Sequence, residues 1–177
     1  MSEAPHGDRD SQPGEDPRDS SAQQPPGGDS YTWYRRGLDL LGRGSPAAAA
    51  QLLERAAEAE PGARSVLEAL GRAQFDTGRY AQAADSFRQI VEASPSDDYA
   101  HFGLGLALAR NGDPAAAAEH LALAAAMRPE LRHYTEALRG VRATLRARAE
   151  AASGGPRPDL PGPEAPDRPG PAREEPS

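Results

Sequence analysis

The segment LEALGRAQFDTGRYAQAADSFRQIVEASP, residues 67–95, contains two helix-length runs separated by Gly78 and closed by Pro95. Glycine suits the left-handed position that follows the last turn of a helix. Proline cannot continue a helix, because it lacks the backbone N–H and clashes with the preceding turn. The segment therefore predicts two helices of about 12–14 residues, each about 20 Å long at ~1.5 Å per residue.

The same pattern, a glycine between two helix-length runs, occurs twice more. GRGSPAAAAQL spans residues 42–52 and RNGDPAAAAEH spans residues 110–120, so that Gly44, Gly78 and Gly112 are spaced 34 residues apart. A fixed period of this length is the signature of a repeat architecture. The repeats are residues 30–63, 64–97 and 98–131. In the first and third, Ser45-Pro46 and Asp113-Pro114 are expected to be an N-cap and a first helical residue.

Several other positions recur at the same period, and each has a physical explanation. Small residues let two helices approach closely, larger ones fill the space between them, and prolines end the second helix. The recurring sets are Gly37, Gly71 and Gly105; Ala49, Ala83 and Ala117; Leu53, Phe87 and Leu121; and Pro61, Pro95 and Pro129.

With these residues the sequence resembles the tetratricopeptide repeat (TPR) family. Leu70-Gly71, Gly78, Tyr80, Ala83, Phe87 and Pro95 fall in register with the family motif, as does Trp33. The resemblance covers roughly residues 30–131 and implies an all-α solenoid of about seven helices. Arg36, Gln74 and His101 depart from the pattern, since apolar or aromatic residues are usual there, and we expect weaker packing around them.

A further helix is predicted over residues 132–151, which would complete a TPR domain of residues 30–152. Tyr134, Leu138, Val141 and Leu145 recur at helical spacing, as expected for a capping helix that covers the open end of the stack. The other face carries Arg139, Arg142, Arg146 and Arg148. A solvated face explains this stripe better than a binding role does.

The charge of the chain lies in its ends. The net charge is −7, of which residues 1–29 carry −5 and residues 153–177 carry −2, while the middle is neutral. Both ends are rich in proline and poor in apolar residues, so we predict disordered tails. Neutrality of the middle argues against nucleic acid as a partner.

The composition and the N-terminal sequence indicate the cellular compartment of the protein. The sequence has no cysteine, which excludes disulfides, and its 20 basic residues are all arginine, a bias typical of a GC-rich bacterial genome. The N-terminus lacks the features of a secretory signal, and no apolar run is long enough for a membrane span. We therefore expect a cytoplasmic protein with no membrane partner.

The resemblance also implies a site. In the family the first helix of each pair lines the concave side of the stack and binds peptides. Aromatic and arginine side chains contribute most to such interfaces. The candidate peptide-binding residues are Tyr31, Tyr34, Arg35, Leu38, Arg72, Phe75, Asp76, Tyr99, Phe102, Leu106 and Arg110. Alternatively, Tyr31, Tyr99 and Phe102 only pack against the neighbouring pair.

No catalytic, cofactor or metal site is predicted. Of the four histidines, His6 lies in a tail, and His101, His120 and His133 show no metal-ligand spacing. The sequence thus indicates a non-enzymatic adaptor, monomeric rather than oligomeric, that binds an apolar and acidic peptide segment of a protein partner. The alternative is a structural subunit that self-associates through its terminal helices. A separate hypothesis is that an acidic tail folds back over the groove and blocks it.

Overall fold

The computed structural model describes residues 29–154 as seven α-helices. They are α1 (Ser30–Gly42), α2 (Pro46–Ala59), α3 (Arg64–Asp76), α4 (Tyr80–Ala93), α5 (Asp98–Arg110), α6 (Pro114–Met127) and α7 (Arg132–Ala152). The predicted tails lie outside the described residues, apart from Asp29, Ser153 and Gly154. The all-α fold predicted from the sequence is confirmed.

The turn within each pair of helices follows the glycine pattern. Gly44, Gly78 and Gly112 adopt φ values of 72°, 77° and 95°, the left-handed region that glycine enters without strain. Pro61, Pro95 and Pro129 each follow the last residue of a second helix by two positions, as predicted.

Of the two predicted N-cap residues, only Asp113 makes a capping hydrogen bond with its side chain. The Asp113 carboxylate accepts a hydrogen bond from the backbone N–H of Ala116 at 3.0 Å and caps α6. Ser45 occupies the equivalent position before α2, but its side chain makes no capping hydrogen bond. Pro46 still begins α2, because proline has no N–H to satisfy and its φ suits the first turn.

The two helices of a pair meet where glycine faces a larger residue. A Cβ atom added to Gly37 would lie 2.6 Å from Leu53, one on Gly71 would lie 2.8 Å from Phe87, and one on Gly105 would lie 2.6 Å from Leu121. These distances are shorter than van der Waals contact, so only glycine permits the observed approach. The predicted glycine and filler positions are confirmed, and the three alanines of the repeat are fully buried.

The pairs stack so that their first helices lie side by side. From α1 to α7 consecutive helices pack against each other, and the alternate contacts among these helices are α1 with α3, α3 with α5 and α5 with α7. The backbones of successive second helices do not approach each other as closely within this range. The stack is therefore tighter on the side of the first helices, and we call the surface formed by α1, α3, α5 and α7 the inner wall.

Two polar departures from the repeat pattern are buried with hydrogen-bond partners. The Gln74 carbonyl Oε1 accepts from Ser86 Oγ at 2.7 Å, which joins α3 to α4. His101 lies with Nε2 3.0 Å from the carbonyl oxygen of Pro95 and with Nδ1 3.0 Å from Nδ1 of His120. Because a carbonyl only accepts, Nε2 of His101 carries a proton, and in the neutral pair Nδ1 of His120 donates to Nδ1 of His101. The expected weakening of packing is thus countered by side-chain hydrogen bonds.

The histidine pair predicts a loss of stability in mild acid. Burial lowers the pKa of His120, and nearby His101 on α5 and Arg88 on α4 lower it further, against a smaller opposing effect of Glu119. The pKa in the folded state is therefore below the unfolded value of 6.5, so the contribution of His120 is complete above pH 6.5 and is lost as the pH falls below it. We expect thermal unfolding between pH 7.5 and about pH 5.5 to be less pH-dependent in His120→Gln than in the wild type. Equal pH dependence of the two melting temperatures would contradict this assignment.

Candidate functional site

A pocket of about 230 Å³ opens where α3 and α5 lie side by side on the inner wall. We call it the central pocket. Its lining residues come from α3, α4 and α5. They are Arg72, Phe75, Asp76, Phe87, Tyr99, Phe102, Gly103 and Leu106. Six of the eleven residues singled out in the sequence thus meet in one cavity.

The floor of the central pocket is the Phe87 ring, which is only 2% exposed. Gly103 lies directly over this ring, since a Cβ at Gly103 would be 2.6 Å from it. Phe87 and Gly103 were not among the residues predicted for the site. The detectable signal was Gly103 itself, because the first two repeats have Arg35 and Ala69 at the equivalent position.

The wall on the α5 side is aromatic. Tyr99 packs with its ring centroid 6.4 Å from that of Phe87, and Phe102 stacks on Tyr134 of α7 with centroids 4.4 Å apart. Both side chains are half-buried, so packing against a neighbouring pair accounts for part of each ring. Burial raises the pKa of Tyr99, so its hydroxyl stays protonated at neutral pH and can donate a hydrogen bond.

The rim of the pocket carries charge. Arg72 and Asp76 are exposed, and the Arg110 guanidinium lies 5.7 Å above the Phe75 ring centroid in a cation–π contact. Within residues 29–154, no carboxylate forms an ion pair with Arg72 or Arg110. The rim therefore presents two guanidinium groups and one carboxylate, Asp76, and its net positive charge favours an anionic ligand.

The candidate residues of the first pair lie apart from the pocket. Tyr31 is 62% exposed, and the Arg35 guanidinium lies 5.9 Å from the centroid of its ring. Tyr34 and Leu38 are half-buried and pack against the core between α2 and α3. On α1 the candidate residues thus divide into one exposed Tyr–Arg pair and two packing residues.

An ion pair fixes the first helices that flank the pocket. Arg64 Nε at the start of α3 lies 2.6 Å from Asp97 Oδ2, and Asp97 Oδ1 accepts from the backbone N–H of Ala100 in α5. Desolvation alone would raise the pKa of Asp97, but Arg64 and the capping hydrogen bonds hold it below its usual value. Asp97 is therefore charged at neutral pH and joins the N-terminal ends of α3 and α5.

Other kinds of site find little support in the described part of the chain. Within residues 29–154 no three histidine or carboxylate side chains come together as a possible metal site. None of the seven helices combines the length and the apolar character that crossing a membrane requires.

Solved structures with the same architecture share little sequence with this chain. The first TPR of Spaghetti (RPAP3), solved with the HSP90 peptide SRMEEVD bound, superposes with a TM-score of 0.62 at 17% identity, covering 66% of this chain and 93% of that one. The Sgt2 TPR domain from Aspergillus fumigatus gives a TM-score of 0.65 at 19% identity, covering 77% and 91%. YrrB, described as a TPR protein with an unusual peptide-binding site, gives 0.60 at 21% identity, covering 63% of this chain and 58% of its own. These likenesses show the fold.

The family can be assigned from the sequence. No curated protein matches the chain. The family model described as tetratricopeptide repeat matches residues 34–98 and again residues 69–131, which together span more than half of the sequence. With its paired helices, its glycine contacts and this match, the chain belongs to the tetratricopeptide repeat family.

Proposed function

We propose that the protein is a cytoplasmic, non-enzymatic adaptor that binds a peptide segment of a protein partner along the inner wall. The observation that supports this most directly is the central pocket, which combines an apolar floor with Arg72 in its lining and with Arg110 beside it, over the Phe75 ring. Concave sites with apolar walls and a few placed polar groups are typical of ligand sites.

The lining of the pocket supports a ligand with an apolar anchor and acidic neighbours. Phe87, Phe102 and Leu106 would surround one apolar side chain, and Tyr99 could donate a hydrogen bond to a peptide carbonyl. Arg72 and Arg110 favour Asp or Glu next to that anchor, since guanidinium and carboxylate groups form strong paired hydrogen bonds. The HSP90 peptide seen on the RPAP3 domain, SRMEEVD, has this mixture of apolar and acidic residues, which supports the same class of ligand here.

Arg72→Glu tests the proposal, because Arg72 is exposed and its replacement leaves the core untouched. Peptides are first selected from a random 12-residue phage library on the full-length protein, and their dissociation constants are then measured by fluorescence anisotropy. We expect Arg72→Glu to weaken binding of the selected peptides by about 10-fold or more, as for loss of a charge pair with an added like charge.

Arg55→Glu is the matched control, since Arg55 is exposed on α2, away from the inner wall. Binding by this variant should equal that of the wild type. Selected peptides that bind Arg72→Glu as tightly as the wild type would contradict the proposed site. A library that yields no binder for the wild type would contradict the adaptor function itself.

A further inference from the structure

The outward face of α7 corresponds to a surface that is covered in every other pair. At the period of 34 residues, α7 corresponds to the first helix of a fourth pair. Arg139 occupies the position equivalent to Gly37, Gly71 and Gly105, the glycines that contact the second helix of each pair. No second helix follows α7 within the described residues, since they end at Gly154. The end of the stack therefore presents a helix face that the other three pairs bury.

This face forms a groove of about 730 Å³. We call it the α7 groove. Its lining residues are Thr135, Leu138, Arg139, Arg142, Leu145 and Arg146. The two leucines are half-buried against the core that α7 shares with α6, and the three arginines are exposed. Within residues 29–154 none of these arginines pairs with a carboxylate. The groove is thus an apolar strip between guanidinium groups.

A helix like α2, α4 or α6 does not suit the α7 groove. Arg139 replaces the glycine that admits the second helix elsewhere, and a bulky side chain at this position blocks close approach. An extended segment with a narrow backbone can instead lie between the arginines. The complementary ligand is an extended chain with an apolar side chain next to acidic ones.

We propose that the occupant is the C-terminal segment of the same chain, residues 155–177. Gly154 has a left-handed φ of 58°, so the backbone leaves the axis of α7 directly after its cap at Ser153. From Ala152 back to Leu138 is about 21 Å along the helix at ~1.5 Å per residue. Leu160 lies eight residues beyond Ala152, a reach of about 25 Å for extended, proline-rich chain.

The chemistry of the segment matches the groove. Leu160 is the one large apolar residue in residues 155–177, and the charged residues nearest to it, Arg157, Asp159 and Glu164, carry a net charge of −1. Leu160 would lie against Leu138 and Leu145, with the two carboxylates on the arginines. Residues 153–177 contain eight prolines, a residue type that is unfavourable within a helix, and covalent attachment raises the effective concentration of the segment at the groove.

Methyl and amide NMR spectra of the full-length protein test this proposal. Leu160→Ser should shift the methyl resonances of Leu138 and Leu145, because it removes the side chain that covers them. The matched control, Ala172→Ser, lies further along the same segment and should leave both methyls unchanged. In the wild type, about 0.5 M NaCl should move the Arg139, Arg142 and Arg146 signals toward their positions in Leu160→Ser, since salt screens the carboxylates.

Unchanged Leu138 and Leu145 methyls in Leu160→Ser would overturn the proposal. Methyl shifts that disappear on dilution would also overturn it, because they would place a second copy of the chain in the groove. Shifts confined to Phe75, Tyr99 and Phe102 would assign the segment to the central pocket instead. Circular dichroism of both variants establishes that the helices are intact in every comparison.

Discussion

Phe87→Ala is expected to lower the free energy of unfolding by about 3–5 kcal/mol, the range for removing a buried phenylalanine ring. The Phe87 ring is 2% exposed and lies between Gly71 of its own pair and Gly103 of the next. Neither glycine has a side chain that could move into the space, so the cavity would persist. The loss is a large part of the 5–15 kcal/mol that holds an ordinary domain together.

Denaturant unfolding followed by circular dichroism measures this effect. Phe75→Ala is the matched control, because the same side chain is removed from a half-buried position on the rim of the central pocket. It should cost clearly less than Phe87→Ala. Equal decreases in the free energy of unfolding for the two variants would show that the Phe87 ring is not the main contact between the second and third pairs of helices.

Tyr134→Ala is the second substitution with a large expected effect, again about 3–5 kcal/mol. Tyr134 is 1% exposed, stacks on Phe102 and donates a hydrogen bond from its hydroxyl to Asp98 Oδ2 at 2.9 Å. Burial, reinforced by Asp98, raises the pKa of Tyr134, so the hydroxyl keeps its proton and remains a donor. These contacts hold α7 to α5, and their removal should release the end of the stack first.

Hydrogen exchange of the α7 amides, measured by NMR, tests this prediction because it reports local opening separately from global unfolding. Amides of α7 should exchange much faster in Tyr134→Ala, whereas those of α3 and α4 should change less. Tyr134→Phe separates the two contributions, since it keeps the stacking and removes only the hydrogen bond, at about 1–3 kcal/mol. Uniform acceleration in all seven helices would contradict a local role for Tyr134.

The elements that depend on local chemistry could be predicted from the sequence. Gly44, Gly78 and Gly112 ended helices because left-handed backbone strongly favours glycine. The pairing of Gly71 with Phe87 was predictable because the same combination recurs in three copies, as Gly37 with Leu53 and Gly105 with Leu121. Each of these signals is weak alone, but their recurrence at the same spacing in three copies determined how the repeats align.

Features that depend on distant partners could not be predicted. Gln74 bonds to Ser86, twelve positions later, and His101 bonds to His120, nineteen positions later. Neither hydrogen bond can be predicted from the spacing of apolar residues within one helix. Ser45 and Asp113 have similar backbone angles, φ −112° and ψ 62° against φ −106° and ψ 77°, but only the Asp113 carboxylate makes the capping hydrogen bond, so the difference lies in the side chain.

The candidate site shows the same division. The family resemblance together with the helical spacing placed residues of the second and third repeats on one face, and six of them share the central pocket. The Phe87 floor of the pocket could not be predicted, because it depends on Gly103 of α5 lying over Phe87 of α4. This contact is made between two pairs of helices and not within one pair. Tyr31 and Arg35 lie on α1, outside the set of residues that line the central pocket.

The most direct test of the central claim, that stacked pairs leave an inner wall which binds another polypeptide, is to map a selected peptide on the full-length protein. The measurement is an NMR titration that follows backbone amides and methyl groups. We predict that the largest shifts occur at Phe75, Tyr99, Phe102 and Leu106. Shifts confined to the second helices α2, α4 and α6, with these four residues unmoved, would contradict the account.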